Sequence, residues 1–153
     1  MRAMAWALLL AGCGYQIVGL EQGEIRALPP EVHAVALIAP QDTAKDWRDR
    51  LAAHGIAVDP EAATILRVQG PEVRWRPSAF DAQGLPVQYR IEVVGAVTIE
   101  HEGRSHWRSG AIAVSDDLTA QSPAQLEAER EAKTRELVRR WLEAAWSRVA
   151  SGW

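Results

Sequence analysis

The strongest pattern in the chain is an alternation. From Val87 to Glu100, the residues Val87, Tyr89, Ile91, Val93, Val97 and Ile99 share one face, and Gln88, Arg90, Glu92, Thr98 and Glu100 share the other. A period of two with one wet face predicts a half-buried antiparallel strand. Before it, Ala63 to Arg76 reads as a strand interrupted at Gly70-Pro71, with Val73 and Trp75 alternating against Arg74 and Arg76. Proline inside a strand marks an edge or a bulge. Pro77 to Pro86, containing Phe80, Asp81 and Gly84, reads as the hairpin loop between the two strands. Glu102-Gly103 makes a tight turn, after which Ser105 to Ser115 returns as a strand. Trp107 is out of phase with Ile112 and Val114, and a bulge near Ser109-Gly110 reconciles them. Nearer the start, Val32 to Ile38 is apolar apart from His33 and stops at Pro40, as a buried strand does. His33 has no acid or second His nearby and reads as a core-edge histidine.

Two segments carry helical spacing instead. Ala44, Trp47 and Leu51 recur on one face, opposite Lys45, Asp46, Arg48, Asp49 and Arg50. Asp42 or Thr43 can cap this helix through a side-chain oxygen, and Gly55 can close it in the left-handed region. Ile56 to Pro60 then turns back toward the sheet. The last helix opens at Ser122-Pro123-Ala124-Gln125, where Ser122 is the cap, Pro123 fits the first helical position and Gln125 completes a capping box. Its apolar stripe is Leu126, Leu137, Val138, Trp141, Leu142, Ala145 and Val149, with Glu131–Arg135 and Glu136–Arg140 spaced as favourable pairs. The order strand-helix-strand-strand-strand-helix predicts an α+β fold: a four-stranded mixed or antiparallel sheet with both helices on its apolar face.

The N-terminus has a different character. Arg2 and the apolar run Ala3 to Leu10 lead into Leu10-Ala11-Gly12-Cys13, which reads as a lipobox. Cys13 is the sole cysteine, and its thiolate suits attack on a diacylglycerol donor. Cleavage before it frees an amine for an N-acyl chain. A spanning helix would need roughly 20 apolar residues, and the glycines at 12, 14 and 19 interrupt this one. The expected division is a signal peptide at residues 1–12, a lipidated tether at 13–30 and a single α+β domain at 31–153. With Cys13 lipidated, neither a disulfide nor a cysteine-based metal site is expected. The covalent diacylglycerol and N-acyl lipid on Cys13 stand in place of any cofactor.

Composition narrows the partners. About half the residues are hydrophobic (48%) and the net charge is −3, which argues against a nucleic-acid surface. Arginine supplies nearly all the basic charge, Lys45 and Lys133 being the only lysines. Guanidinium suits planar contacts to carboxylate or phosphate. There is no nucleophile elbow with a Ser-His-Asp set, no phosphate loop and no dinucleotide fingerprint. Glu100, Glu102, Asp116 and Asp117 read as solvated strand ends. His101 and His106 flank a turn and lack the further ligands a zinc site requires. The expectation is a binding or assembly protein with no enzymatic activity.

Several stretches resemble the lipopolysaccharide-assembly outer-membrane lipoprotein family LptE. They are Ala11-Gly12-Cys13-Gly14-Tyr15-Gln16-Ile17-Val18-Gly19, Leu28-Pro29-Pro30, Leu51 to Gly55, Ser78-Ala79-Phe80 and Val87-Gln88-Tyr89-Arg90. The resemblance implies an α+β domain held by lipid in the inner leaflet of the outer membrane. It also implies a plug within the LptD β-barrel that assists barrel folding and contacts lipopolysaccharide. Gly14 after the lipidated cysteine fits export to the outer membrane. Members of that family are credited with a basic residue just after the loop aromatic, where this chain has Asp81, and with a second near Gln121. Arg74, Arg76 and Arg90, on the face opposite the apolar residues, are the candidate substitutes, with Phe80 as a further candidate contact. A periplasm-facing lipid carrier or transport auxiliary without a barrel partner is the alternative; a lipid-tailed hydrolase is a weaker third.

Overall fold

The computed structural model describes residues 28, 32–119 and 123–151. The lipobox with Cys13, most of the tether, Gln121 and the Ser122 cap lie outside these. The elements in order are β1 (Ala34–Ile38), α1 (Ala44–Ala53), β2 (Ala57–Val58), β3 (Thr64–Phe80), β4 (Pro86–His101), β5 (Arg104–Arg108), β6 (Ile112–Thr119) and α2 (Pro123–Ser151).

β3 and β4 form a long antiparallel hairpin that is the spine of the sheet. β1 lies parallel to β3 at Ile65–Arg67, and β2 lies parallel to β1. β5 and β6 share the other side of β4: β5 takes Thr98–His101 and β6 takes Gln88–Gly95. The described residues therefore form a six-stranded mixed sheet, not four strands. The two additions have separate causes. The turn expected at Ile56–Pro60 runs beside β1, with Ala57 N–H donating to His33 O at 2.8 Å and Asp59 N–H to Val35 O at 3.0 Å. The strand expected over Ser105–Ser115 divides at Ser109. Its N–H donates to Val97 O at 2.9 Å while its hydroxyl oxygen accepts from Val97 N–H at 2.9 Å. Two bonds to one residue halt the ladder, and Gly110 at φ +67° redirects the chain. This break is how Trp107, opposite Ile99, and Val114, opposite Val93, reach one face despite opposite phase.

The alternation predicted for the long strand holds. Ile91, Val93, Val97 and Ile99 are buried, facing both helices. α1 contributes Ala44, Trp47 and Leu51, and α2 contributes Leu137, Trp141, Leu142, Ala145, Trp146 and Val149. Trp146, outside the predicted stripe, packs edge-on against Trp47 with ring centroids 5.9 Å apart and so joins the helices. Leu28, within the stretch read as tether, is wholly buried in this core. At Gly95 a side chain has no room: a Cβ would lie 2.3 Å from Trp141 Cζ2. The missing side chain lets the indole settle on the sheet, where its Nε1–H donates to Ile112 O at 3.0 Å.

Of the remaining expectations, those for Thr43, His33, the extent of the hairpin loop and the Glu136–Arg140 pair need correction, while the Gly70-Pro71 bulge and the Glu102-Gly103 turn hold. Thr43 holds the N-cap position of α1, but its side chain makes no cap bond; the hydroxyl donates to Pro40 O at 3.3 Å. His33 is exposed. β3 continues through Pro77 to Phe80, so the hairpin loop is only residues 81–85. Gly70-Pro71 is a bulge within the β3–β4 ladder, with Gly70 at φ +86° and the register shifting between Gln69 and Glu72. Glu136 pairs with Lys133 at 3.3 Å, while Arg140 reaches Asp116 at 3.6 Å. Glu102 and Gly103 both have positive φ, the geometry of a tight two-residue hairpin turn.

Candidate functional site: the outer face of the β3–β4–β6 sheet

Register assembles the candidate residues. On the face away from the helices, Arg76 lies opposite Arg90, and Arg90 lies opposite Asp117. One step along, Arg74 lies opposite Glu92, which lies opposite Ser115. Arg74, Arg76 and Arg90 thus occupy one surface. The strands put them there because each has the opposite parity from the inward-facing residues beside it.

Their charges are unequally matched. Arg90 forks onto Asp117, with Nε–Oδ1 at 3.0 Å and Nη2–Oδ2 at 3.1 Å. Arg74 forks onto Glu72 in the same way, at 3.1 and 2.9 Å. That hydrogen bonding holds the Glu72 carboxyl below its ordinary pKa and raises Arg74 above its own; Asp117 does the same for Arg90. Arg76 has no such carboxylate among the described residues and faces another guanidinium across the ladder. Like charges directly opposite repel.

Phe80 sits apart from the arginines, at the end of the hairpin, and is 60% exposed. Leu85 across the loop is 63% exposed, so the tip is apolar. Asp81 has a local structural role here. Its Oδ1 accepts from Gln83 N–H at 2.9 Å and from Leu85 N–H at 2.8 Å, closing the loop. A basic side chain at this position could not accept those bonds.

A second feature lies on the helix side. Trp75 packs edge-on to Tyr89, centroids 6.3 Å apart, and the Arg130 guanidinium sits 4.8 Å over the Trp75 ring. Between Val73 and Trp75 of β3 and Arg130, Glu131, Thr134 and Arg135 of α2 is an open groove of about 510 Å³. The sequence reading placed Trp75 on the inner face but missed the groove, because nothing in local spacing links β3 to α2. The Glu72–Arg74 pair had a readable signal: residues two apart on a strand share a face. His101 bonds Thr64 Oγ1 at 2.9 Å through Nδ1, and no three His, Cys, Asp or Glu side chains converge among the described residues. No helix among them is long and apolar enough to cross a membrane.

The fold is similar to that of several solved bacterial lipoproteins. The chain superposes on lipoprotein B of Nitrosomonas europaea with a TM-score of 0.62, at 14% identity over 80% of this chain and 86% of that one. The rare lipoprotein B of Shewanella oneidensis gives 0.59, at 15% identity over 77% and 92%. A minor lipoprotein of Acinetobacter baumannii gives 0.57, at 17% over 80% and 93%. At such identities the likeness is one of fold. No family model matches the chain, and no curated protein matches it.

Proposed function

We propose that this protein is a lipid-anchored outer-membrane lipoprotein without enzymatic activity. In this reading it plugs and helps assemble an LptD-type β-barrel and supports lipopolysaccharide transport to the cell surface. The observation that carries the reading is the outer face of β3, β4 and β6: a polar surface bearing Arg74, Arg76 and Arg90, backed by a buried core on the opposite face of the sheet. A barrel lumen is polar, so a plug should present charged and hydrogen-bonding groups to it. Guanidinium forks suit carboxylates on the wall or phosphates on the lipid. The fold shared with three bacterial lipoproteins and the lipobox at Cys13 point the same way. Two or three acyl chains on Cys13 would anchor the domain firmly, each buried CH₂ contributing about 0.8 kcal/mol.

The test is isolation of the mature protein from outer membrane, with identification of what accompanies it. A stable barrel complex is expected. Combined Arg74→Glu, Arg76→Glu and Phe80→Ala should leave the fold intact and deplete that complex. Normal yield of the complex from the folded triple variant would remove these residues from the working surface. Cys13→Ser should leave the protein uncleaved or soluble; unchanged membrane fractionation would refute lipidation.

The groove favours a second reading, a lipid carrier without a barrel, because Val73 and Trp75 give it an apolar floor beside basic side chains. A monomer that brings down phospholipid and no barrel would select that reading.

A further inference from the structure

The sheet has two long edges, and they are built differently. On one side β6, itself paired only with β4 among the described residues, runs beneath α2, which engages its inward groups. Asp116 takes Lys133 at 3.1 Å and Arg140 at 3.6 Å, and Ile112 O takes the Trp141 indole at 3.0 Å. On the other side β1 covers β3 only at Ile65–Arg67. Beyond the bulge, Glu72–Phe80 is paired with β4 and, among the described residues, with no second strand. An edge of this kind presents a row of unpaired N–H and C=O groups. Pro77 removes one donor and interrupts the row, leaving Glu72–Arg76 as its uninterrupted part. Five residues at about 3.4 Å each give a pairing site about 17 Å long.

The surroundings of this edge say what would pair with it. On the helix side the groove opens beside Val73 and Trp75, so space exists for side chains of an added strand. On the outer side, Glu72 occupies Arg74 and Asp117 occupies Arg90, while Arg76 faces Arg90 with no carboxylate of its own among the described residues. We propose that the Glu72–Arg76 edge of β3 is a β-augmentation site for an extended segment of a partner polypeptide, one that alternates apolar side chains laid in the groove with carboxylates set beside Arg76. Main-chain pairing supplies the attachment, and the two kinds of side-chain position supply the selectivity. The inference takes from the proposed function only that the partner is a polypeptide; that partner need not be a barrel.

The test uses the isotope-labelled mature protein and a short, end-capped synthetic peptide alternating valine and glutamate. Backbone amide shifts and hydrogen-exchange protection are read by NMR as peptide is added. Protection should appear within Glu72–Arg76 and not along β6. Arg76→Glu should weaken binding about five-fold, the scale of one exposed ion pair. A peptide alternating valine and lysine should restore binding to that variant. The proposal is overturned if peptide protects β6 instead, if no amide of β3 responds, or if Arg76→Glu leaves the affinity unchanged. It is equally overturned if these amides become protected on concentrating the protein alone, which would make the edge a self-association surface. Failure of barrel co-purification together with peptide pairing would sink the functional reading and leave this one standing; the reverse result would do the opposite.

Discussion

The two ends of α2 lie over the same sheet and behave differently. Toward its C-terminus, Leu137, Trp141, Leu142, Ala145, Trp146 and Val149 are buried against β4, β6 and α1. Toward its N-terminus, Arg130 lies over Trp75, Glu131 pairs with Arg135, and a groove remains beneath them. The ladder of β3 and β4 runs from one end to the other, shifting register at the Gly70-Pro71 bulge and again between Pro77 and Phe80. The contrast therefore comes from side chains and from what faces them. Gly95 gives Trp141 a place to lie, whereas at the other end Trp75 packs edge-on against Tyr89 with the Arg130 guanidinium over its ring. One end is a closed core and the other an open amphipathic surface. Stability should reside in the first and binding in the second.

Replacing the two tryptophans tests that division most strongly. Trp141→Ala removes a wholly buried indole and leaves Ile112 O without its donor, so it should cost about 4 kcal/mol. Trp75→Ala, at the half-buried end, should cost about 1 kcal/mol, much of it the lost Arg130 contact. Urea unfolding measures both, and equal losses would abolish the contrast.

Gly95→Ala is the next largest effect. Its Cβ would fall 2.3 Å from Trp141 and 2.5 Å from Gln69 O, so either the indole or the backbone must shift, at about 2 kcal/mol. A thermally unaffected variant would show that the core end is looser than its packing implies.

Among the smaller effects is the acid response of the ion pairs joining α2 to β6. The Asp116 carboxyl is held below its ordinary pKa, first by the Lys133 hydrogen bond, then by the Asp117 N–H and the charges of Lys133 and Arg140. A depressed carboxyl stabilises the fold above its unfolded-state pKa, and that contribution is lost as pH falls through the folded value. The urea midpoint should therefore drop on acidification below the ordinary carboxylate range. Asp116→Asn should flatten that decline, and an unchanged slope would show the pairs to be inert. Smallest of all should be the effect of Arg90→Ala on stability. Its pair with Asp117 is exposed, and such pairs contribute little. A large loss there would mean the outer face is a structural element in its own right.

Local chemistry was enough to read much of this molecule. The period of two in β4, the helical stripe of Leu137 to Val149, and the turn at Glu102-Gly103 all follow from neighbours a few residues apart. Asp81 shows where such reading stopped short. The turn residues mark a loop there, but its closure by one carboxylate onto two backbone N–H groups depends on the folded backbone.

What hydrophobic periodicity carries is which side of each element is wet, since that depends on backbone geometry within a turn or a pleat. This made the α+β class and the shared face of Arg74, Arg76 and Arg90 readable from the chain alone. Pairings between distant segments carry no periodic signature. Ser109 against Val97 splits the last strand, Asp117 occupies Arg90, and Trp146 locks onto Trp47. The groove below Arg130 exists only because β3 and α2, far apart in sequence, meet with Trp75 between them. Those contacts were settled by three-dimensional packing, where the volume of each side chain determines how closely two elements approach.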